Sequence, residues 1–331
     1  MAVILIIAND PGRFDTRRAG ALYWAEMPFT PTRLRPAILA LMLLPGAAAP
    51  LPAQEFSETV TVNYVLIPVN VTDAKGRWVA GLKKDNFELL VSLRPVRVEH
   101  FSRDASDPLS TLVIVDASGS MGTGTLPEQT VFALDRLRER IKPGDETALS
   151  MFQSRSFRLL RPLGDGPFDP AALLEGIKPW GKTALYDELA YIPVYLREAK
   201  HKKRQAILIT DTHDNFSEQE PQKVIDSLLQ VQVPVHTLAL RQTPMEVLDI
   251  EFLKILARYS GGAVEVAGTP EEIDAALERI FDRIHHSYLL GFSPGKGMVQ
   301  YHSVLVSVKG KGKVKVSAKK GYWGGPPKFL R

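Results

Sequence analysis

Between residues 108 and 286, apolar runs of strand length alternate with segments whose apolar residues recur at helical spacing. The runs predict strands at residues 112–115, 147–152, 206–210, 235–240 and 264–267, with residues 157–163 as an antiparallel neighbour of the second strand at a sheet edge. The spacing predicts helices near residues 131–141, 184–200, 246–259 and 270–284, and Ser217 with Glu220 predicts a capping box that opens one more. This alternation predicts an α/β fold with a doubly wound, mostly parallel sheet flanked by helices.

On both sides of this region the pattern changes to short strands without helices. The predicted strands are residues 59–71, 87–91 and 96–101 before it, and residues 288–292, 301–308 and 313–318 after it. Neither set has enough strands to form a stable sandwich alone, so we expect the two ends of the chain to pair into one small β-domain. The predicted boundaries are residues 54–106 for the N-terminal strands, 107–286 for the α/β domain and 287–331 for the C-terminal strands.

The first 53 residues have the order of a secretory signal peptide. A basic start follows Met27, a short apolar run spans residues 36–44, and a segment rich in proline and small residues ends at Ala53, a candidate cleavage site. Met27 is then a candidate true start. The apolar run is too short for a membrane span, so an uncleaved anchor is the weaker alternative. We therefore expect a secreted, periplasmic or cell-envelope protein, with membrane contact only through an uncleaved leader.

The amino-acid composition excludes some kinds of chemistry. The 331-residue chain has no cysteine, which excludes disulfides and thiol catalysis, and its net charge is +4. The basic excess lies mainly at residues 201–204 and in the lysines between residues 309 and 320. We interpret both groups as solvated surface, the second on strands that guard a sheet edge, and we do not expect nucleic-acid binding.

Three oxygen-bearing side chains follow the first α/β strand at alternate positions: Asp116, Ser118 and Ser120. Alternate residues of an extended chain point the same way, so these oxygens can surround one centre. One carboxylate and two hydroxyls suit Mg²⁺, Mn²⁺ or Ca²⁺. The alternative is an ordinary turn whose hydroxyls cap the next helix.

Two other loops favour the cation site. Thr183 is predicted at a helix start, and Asp211 follows the buried run 206–210 as Asp116 follows the first run. In a doubly wound sheet, ligands bind beyond the carboxyl ends of the strands, where such loops meet.

These dispersed pieces, D-A-S-G-S at residues 116–120, Thr183 and Asp211, resemble the metal-ion-dependent adhesion site of von Willebrand factor A-type domains. The full layout over residues 57–323 resembles an exported bacterial subgroup of that family, as found in Acidobacteria. The resemblance implies a Rossmann-like fold and a non-enzymatic adhesion or interaction module. It also implies Mg²⁺, or Mn²⁺ or Ca²⁺, held by Asp116, Ser118, Ser120, Thr183 and Asp211, with one coordination position left for an acidic group of a protein partner.

Five residues beside the predicted metal ligands are expected to face that partner: Gly119, Met121, Lys182, Thr212 and Asp214. Two of them depart from the family pattern, because Lys182 stands where the family usually has glycine and Thr212 replaces the glycine after the second aspartate. We expect Lys182 to carry its charge into solvent. Thr212 is β-branched where glycine permits close backbone approach.

Other chemistries fit the sequence less well. Asp116 lacks the D-x-D pattern of dehalogenase-like phosphatases, and neither a G-x-S-x-G elbow nor a phosphate-binding G-x-x-x-x-G-K-[ST] loop is present. His213, His285 and His286 are interpreted as loop and helix-end residues and not as zinc ligands. The alternatives that remain are a metal-independent scaffold subunit of an envelope assembly and, more distantly, a hydrolase.

Overall fold

The computed structural model describes residues 65–75, 77–104, 108–211, 214–294, 300–310 and 312–324. All of them belong to one compact unit, Thr59–Arg331. The predicted leader, residues 59–64 of the first predicted strand, Thr212 and His213 lie outside the described residues. None of the helices in the described part of the chain has the length and apolar character that a membrane span requires.

The described chain forms strands and helices in the predicted alternation. The strands are β1 (Val65–Thr72), β2 (Phe87–Val91), β3 (Arg94–Val96), β4 (His100–Asp104), β5 (Ser110–Asp116), β6 (Glu146–Gln153), β7 (Ser156–Asp165), β8 (Arg204–Thr210), β9 (Val235–Leu240), β10 (Val264–Ala267), β11 (Ser287–Phe292), β12 (Tyr301–Val308), β13 (Lys315–Ala318) and β14 (Gly321–Trp323). The helices are α1 (Leu126–Arg138), α2 (Pro170–Leu174), α3 (Leu185–Tyr195), α4 (Pro221–Val231), α5 (Glu251–Ser260) and α6 (Pro270–His285), with 3₁₀ turns at Lys84–Asn86 and Ser120–Gly122.

A six-stranded sheet lies at the centre, in the order β10-β9-β8-β5-β6-β7. All neighbouring pairs are parallel except β6 and β7, which are antiparallel. The doubly wound α/β prediction is confirmed, and so is the antiparallel edge strand. Because β5 lies between β8 and β6 and all seven of its residues are buried, its carboxyl end opens at the middle of the sheet edge.

Helices cover both faces of this sheet, and the side-chain period of two in β5 divides its residues between them. Val113 and Val115 pack on the face covered by α1 and α6. Leu112 and Ile114 pack on the face covered by α3, α4 and α5. Two apolar cores therefore hold β5 from opposite sides, which explains why its sequence is apolar without alternation.

The remaining strands form two four-stranded antiparallel sheets, in the orders β13-β1-β11-β4 and β14-β12-β2-β3. Each sheet combines strands from both ends of the chain: β1 pairs with β11, with Val65 opposite Phe292, and β2 pairs with β12, with Val91 opposite Val304. Their inner faces share a third apolar core. The predicted pairing of the two ends is confirmed, while the residue boundaries of separate domains stay predictions.

Four local predictions were wrong. The strand predicted at residues 96–101 is divided into β3 and β4, because β3 pairs with β2 in one antiparallel sheet and β4 pairs with β11 in the other. Helix α5 begins at Glu251 and not at Glu246, because the Glu246 carboxylate accepts a hydrogen bond from the Gln242 amide at 2.6 Å and holds these residues in a turn.

The other two errors concern side chains with tertiary partners. Helix α4 begins at Pro221 without a side-chain cap, because the Ser217 hydroxyl instead accepts hydrogen bonds from the Tyr186 and Asp187 amides. Lys319 was expected on a solvent-facing strand, yet it is 2% exposed. Its ammonium donates to Gln232 Oε1 at 3.0 Å.

Tyr288 ties β11 to the segment between β1 and β2. Its buried hydroxyl donates to the Val79 carbonyl at 2.7 Å and accepts from the Leu82 amide at 3.1 Å. We predict that Tyr288→Phe lowers the free energy of unfolding by about 1–3 kcal/mol, because two backbone groups lose their partner inside the protein. Denaturant unfolding measures the change.

The control is Tyr191→Phe on α3, whose ring is 44% exposed. It loses the same hydroxyl at a solvated position and should change stability by less than about 0.5 kcal/mol. Equal effects of the two substitutions would contradict the tying role of Tyr288.

Glu188 is a fully buried carboxyl group between α3 and the central sheet. Its oxygens accept hydrogen bonds from Ser150 Oγ at 2.8 Å and from the Tyr195 hydroxyl at 3.4 Å. Burial raises its pKa from 4.5 to about 8, and the two hydrogen bonds only partly oppose this. The folded protein therefore keeps a proton on Glu188 at pH 7, where the unfolded chain has released it.

This difference gives a pH dependence of known sign. The stability contributed by Glu188 is full below pH 4.5 and is lost as the pH rises toward about 8. We predict that Glu188→Gln gains on the order of a few kcal/mol relative to the parent protein between pH 5 and pH 8. Glu198→Gln, at an exposed position just after α3, is the control and should track the parent at both pH values. Parallel denaturation curves for all three proteins at the two pH values would contradict the assignment.

Candidate metal site

Asp116 is the last residue of β5, and it places a carboxylate at the middle of the sheet edge while remaining 1% exposed. Its Oδ1 accepts a hydrogen bond from the Ser118 amide at 2.8 Å. Its Oδ2 accepts one from Thr210 Oγ1, at the end of the neighbouring strand β8, at 2.6 Å. Burial, together with the smaller effect of the Asp211 charge, raises the pKa of Asp116 from 3.8 to about 6 against the hydrogen bonds from Thr210 and Ser118.

The residues after Asp116 form a tight turn that brings two hydroxyls together. Ser118 is buried, Ser120 is exposed, and their Oγ atoms lie 3.2 Å apart. The Gly119 amide donates to the carbonyl of Gly181 at 3.1 Å. Gly119, which was expected to face a partner, thus joins this loop to the second loop through a hydrogen bond within the protein.

The second loop is held against the first and against the end of β6. The Trp180 amide donates to the Ala117 carbonyl at 3.1 Å, and the Ser154 amide donates to the Lys182 carbonyl at 2.7 Å. Ser154 also forms a parallel bridge with Thr183. These bonds place Thr183, which is 2% exposed, beside the β5 loop as the sequence predicts.

The third loop follows β8 and is tied to the second. Asn215 Oδ1 accepts from the Thr183 amide at 2.9 Å, and the Asn215 amide donates to the Thr183 carbonyl at 3.0 Å. Asp211, directly after β8, lies close enough to Asp116 for its charge to shift the pKa of that carboxyl. The five predicted ligands therefore come from three loops that are bonded together at one edge of the sheet.

The residues predicted beside the ligands have different roles. Met121 was expected to face a partner, yet it is 2% exposed and belongs to the core that α1 covers; the 3₁₀ turn directs its side chain inward. Asp214 is half-buried, and its Oδ2 accepts from Ser217 Oγ at 2.5 Å and from the Tyr186 amide at 3.3 Å. It therefore holds the start of α3. Thr212 lies outside the described residues.

Lys182 is exposed, as expected, but its ammonium is not simply in solvent. It lies 5.0 Å from the centroid of the Phe216 ring, and the guanidinium of Arg155 lies 4.5 Å from the same ring. Arg155 also forms a 2.7 Å ion pair with Glu218. These two cations share one aromatic ring and form a positive rim beside the Thr183 loop, in which Glu218 neutralises Arg155 and Lys182 supplies the net charge.

Sequence reasoning missed an exposed apolar rim at the same edge. Trp180 is 55% exposed, and Met245 and Val247 in the loop after β9 are 88% and 95% exposed. Gln242 of that loop donates to Thr123 Oγ1 at 3.0 Å, which connects it to the loop after β5. The sequence signal for this rim was the presence of apolar residues after the predicted strand 235–240, but residues 246–259 were interpreted as a helix.

The donor set fits a hard divalent cation. The three loops supply two carboxylates and three hydroxyls, and each Asp116 oxygen retains acceptor capacity beyond its hydrogen bond. Among the described residues, no cationic side chain contributes to the pKa shift of Asp116, so its buried charge lacks a neutralising partner there. Across the same ranges no three His, Cys, Asp or Glu side chains cluster as metal ligands. A cation at this edge would thus depend on the hydroxyls as well as the carboxylates.

Gly181 permits the close approach of the second loop. Its φ is +77°, and a Cβ there would overlap Ser154 Oγ, the atom that accepts the Lys182 amide at 3.1 Å. We predict that Gly181→Ala destabilises the protein by about 1–3 kcal/mol, from left-handed strain and the displaced hydroxyl. Thermal or denaturant unfolding measures this loss.

Gly166 provides the matched control. Its φ is +84°, and no atom lies within 4 Å of the position that a Cβ would take. Gly166→Ala should lose only the stability that left-handed backbone strain costs, and this loss should be smaller than that of Gly181→Ala. If both variants lost the same stability, the Gly181–Ser154 contact would have no part in holding the loop.

The central α/β part of the chain matches a known protein family. Residues 111–213, from β5 to just beyond β8, match the model of the von Willebrand factor type A domain. Curated proteins include no significant match. Among solved structures, the chain is similar to a von Willebrand factor type A protein from Catenulispora acidiphila, at 14% identity and a TM-score of 0.47, over 80% of this chain and 74% of that one.

Two further similarities are of the same order. An aerotolerance-related membrane protein from Bacteroides fragilis is 16% identical, with a TM-score of 0.43, over 53% of this chain and 98% of that one. The ArnB paralog VWA2 from Sulfolobus acidocaldarius is 13% identical, with a TM-score of 0.43, over 78% of this chain and 76% of that one. The segment matched by the family model contains four elements of the central sheet and all five candidate ligands, and the chain therefore contains a von Willebrand factor type A domain.

Proposed function

We propose that this chain is a protein-binding module whose contact with an acidic group of its partner depends on a divalent cation, Mg²⁺ or else Mn²⁺ or Ca²⁺, held at the edge beyond β5. The observation that supports the proposal is that hydrogen bonds join the three loops that contain Asp116, Ser118, Ser120, Thr183 and Asp211 at one edge of the sheet. A general role as a protein-interaction module accords with the von Willebrand factor type A domain. We propose no enzymatic activity.

The proposed ligands have distinct tasks. Asp116 supplies a buried carboxylate fixed by Ser118 and Thr210, and Asp211 supplies the second negative charge. The hydroxyls of Ser118, Ser120 and Thr183 supply neutral oxygens. The bound cation would supply Lewis acidity toward an external carboxylate, because few protein charges neutralise it.

The surroundings indicate the partner's chemistry. Lys182 and Arg155 place positive charge beside the site, and Trp180, Met245 and Val247 expose apolar area around it. A carboxylate flanked by apolar side chains on the partner would match both features, since aromatic and methionine residues are enriched in interface cores. The positive rim disfavours a basic partner.

One observation favours a second candidate, a metal-independent scaffold subunit of an envelope assembly. The three loops are already joined by the Gly119–Gly181, Ala117–Trp180 and Thr183–Asn215 bonds, so their arrangement does not require a cation. A hydrolase is disfavoured because the Ser118 hydroxyl contacts the Ser120 hydroxyl and not a general base. Export through the predicted leader is part of the proposal and is tested by cell fractionation.

Thermal unfolding with added metal distinguishes the two candidates. A ligand that binds only the folded protein stabilises it by about 2.7 kcal/mol at 100 times its Kd, which is several degrees in Tm. We predict such a rise with Mg²⁺ or Mn²⁺ in the parent protein and none in Asp116→Asn, which keeps the side-chain shape but loses the charge.

Asp249→Asn is the control, because it removes an exposed carboxylate from the loop after β9. It should respond to metal as the parent does. If millimolar metal leaves the Tm of the parent unchanged, the metal-dependent function is wrong and the scaffold candidate stands. An equal loss of response in Asp249→Asn would indicate general charge screening and would equally count against the site.

A further inference from the structure

A cavity lies at the opposite end of the central sheet from the candidate metal site. It is a cleft that is partly open to solvent. Its walls are the amino ends of β8 and β9, the last turn of α6, and the β1–β11 sheet. Leu66, Pro68 and Asn70 face it, because they alternate along β1 with the core residues Ile67 and Val69.

The charge of this cavity is one-sided. Four cationic residues line it, Lys202, Lys203, Arg204 and Arg283, and no Asp or Glu is among its described lining residues. Behind the wall, the buried Lys319 donates to Gln232, which lines the cavity, and burial lowers the pKa of Lys319 to about 7. Like charges held together in a cleft concentrate anions there.

Arg283, in the last turn of α6, is half-buried. Burial lowers its pKa, and its Nη1 donates to Ser317 Oγ at 3.3 Å. Glu265 is the acid whose charge acts on it, but that carboxylate lies 2.8 Å from Arg279 Nε, in an ion pair. A half-desolvated guanidinium with one neutral partner keeps most of its donors for a ligand.

His236 forms part of the cavity wall beside Arg283. It is 2% exposed, and its Nδ1 has no hydrogen-bond partner within the described part of the chain. Burial and the charge of Arg283 lower its pKa to about 3, so the ring is neutral at pH 7. A buried polar atom without a partner is costly, and a ligand in the cavity would supply one.

We propose that this cavity binds a small phosphate-bearing molecule, with Arg283 as the principal contact, His236 Nδ1–H as a second donor and the exposed Lys202 at the mouth. The planar guanidinium matches the oxygens of phosphate in a two-bond arrangement. Arg283, Arg204 and Lys202 together suit a multiply charged anion better than a single carboxylate.

Calorimetric titration of the full chain with pyrophosphate tests the proposal, in metal-free buffer at constant ionic strength. We expect saturable binding to the parent protein, about tenfold weaker in Arg283→Gln and about two- to fivefold weaker in Lys202→Gln. Arg258→Gln removes an equal charge from an exposed position of α5 outside the cavity and should bind as the parent does. Circular dichroism checks that each variant is folded.

If Arg283→Gln does not fold, Lys202→Gln decides, because Lys202 is exposed. Absence of saturable pyrophosphate binding to the parent overturns the proposal, and so does an equal effect of Arg258→Gln. Asp116→Asn should leave pyrophosphate affinity unchanged. This result separates the cavity from the metal site, so that failure of either proposal does not count against the other.

Discussion

The burial of β5 on both faces is the constraint on which the site depends. Helices cover both faces of β5, and strands β8 and β6 pair with its two edges. The Asp116 side chain can therefore reach a ligand only at the carboxyl end of the sheet. The same parallel geometry brings the loop after β8 to that edge. A buried carboxylate beside a second one is unfavourable by itself, which the raised pKa of Asp116 expresses. The stable sheet holds this arrangement in place.

The loops that complete the site are held by hydrogen bonds of their backbone groups, and none of these bonds uses the hydroxyls of Ser118, Ser120 or Thr183. Gly119 bonds to Gly181, and Thr183 bonds to Asn215 through both its amide and its carbonyl. Consequently the hydroxyls of Ser118, Ser120 and Thr183 are positioned without taking part in the framework. A prearranged set of oxygens loses little conformational entropy when it takes up a ligand. Because backbone groups hold the loops and the hydroxyls remain available as ligands, a cation site with only two carboxylates is feasible.

Much of this could be predicted from sequence, because buried parallel strands have a continuous apolar pattern and ligand loops follow them. Asp116 and Asp211 stand directly after such runs. The failures occurred where tertiary contacts override local pattern: Met121 is turned inward by a 3₁₀ turn, and Ser217 serves α3 instead of capping α4. Residues 202–204 were interpreted as solvated charge. Only the packing of β1 and β11 over the end of the sheet makes them cavity walls, and a local sequence pattern does not contain that information.

The two ends of the central sheet have opposite electrostatic character. β8 connects them, since Arg204 lines the cavity at its start and Asp211 follows its last residue. Seven residues at about 3.3 Å each separate the two ends by roughly 23 Å. That distance exceeds two Debye lengths, which are about 8–10 Å at physiological salt, so a cation at one end has little direct effect on an anion at the other. Any coupling between them would require movement of an element that reaches both ends. β5 and β8, enclosed by two apolar cores, are poorly suited to that movement, so independent operation of the two ends is the expectation that the fold supports.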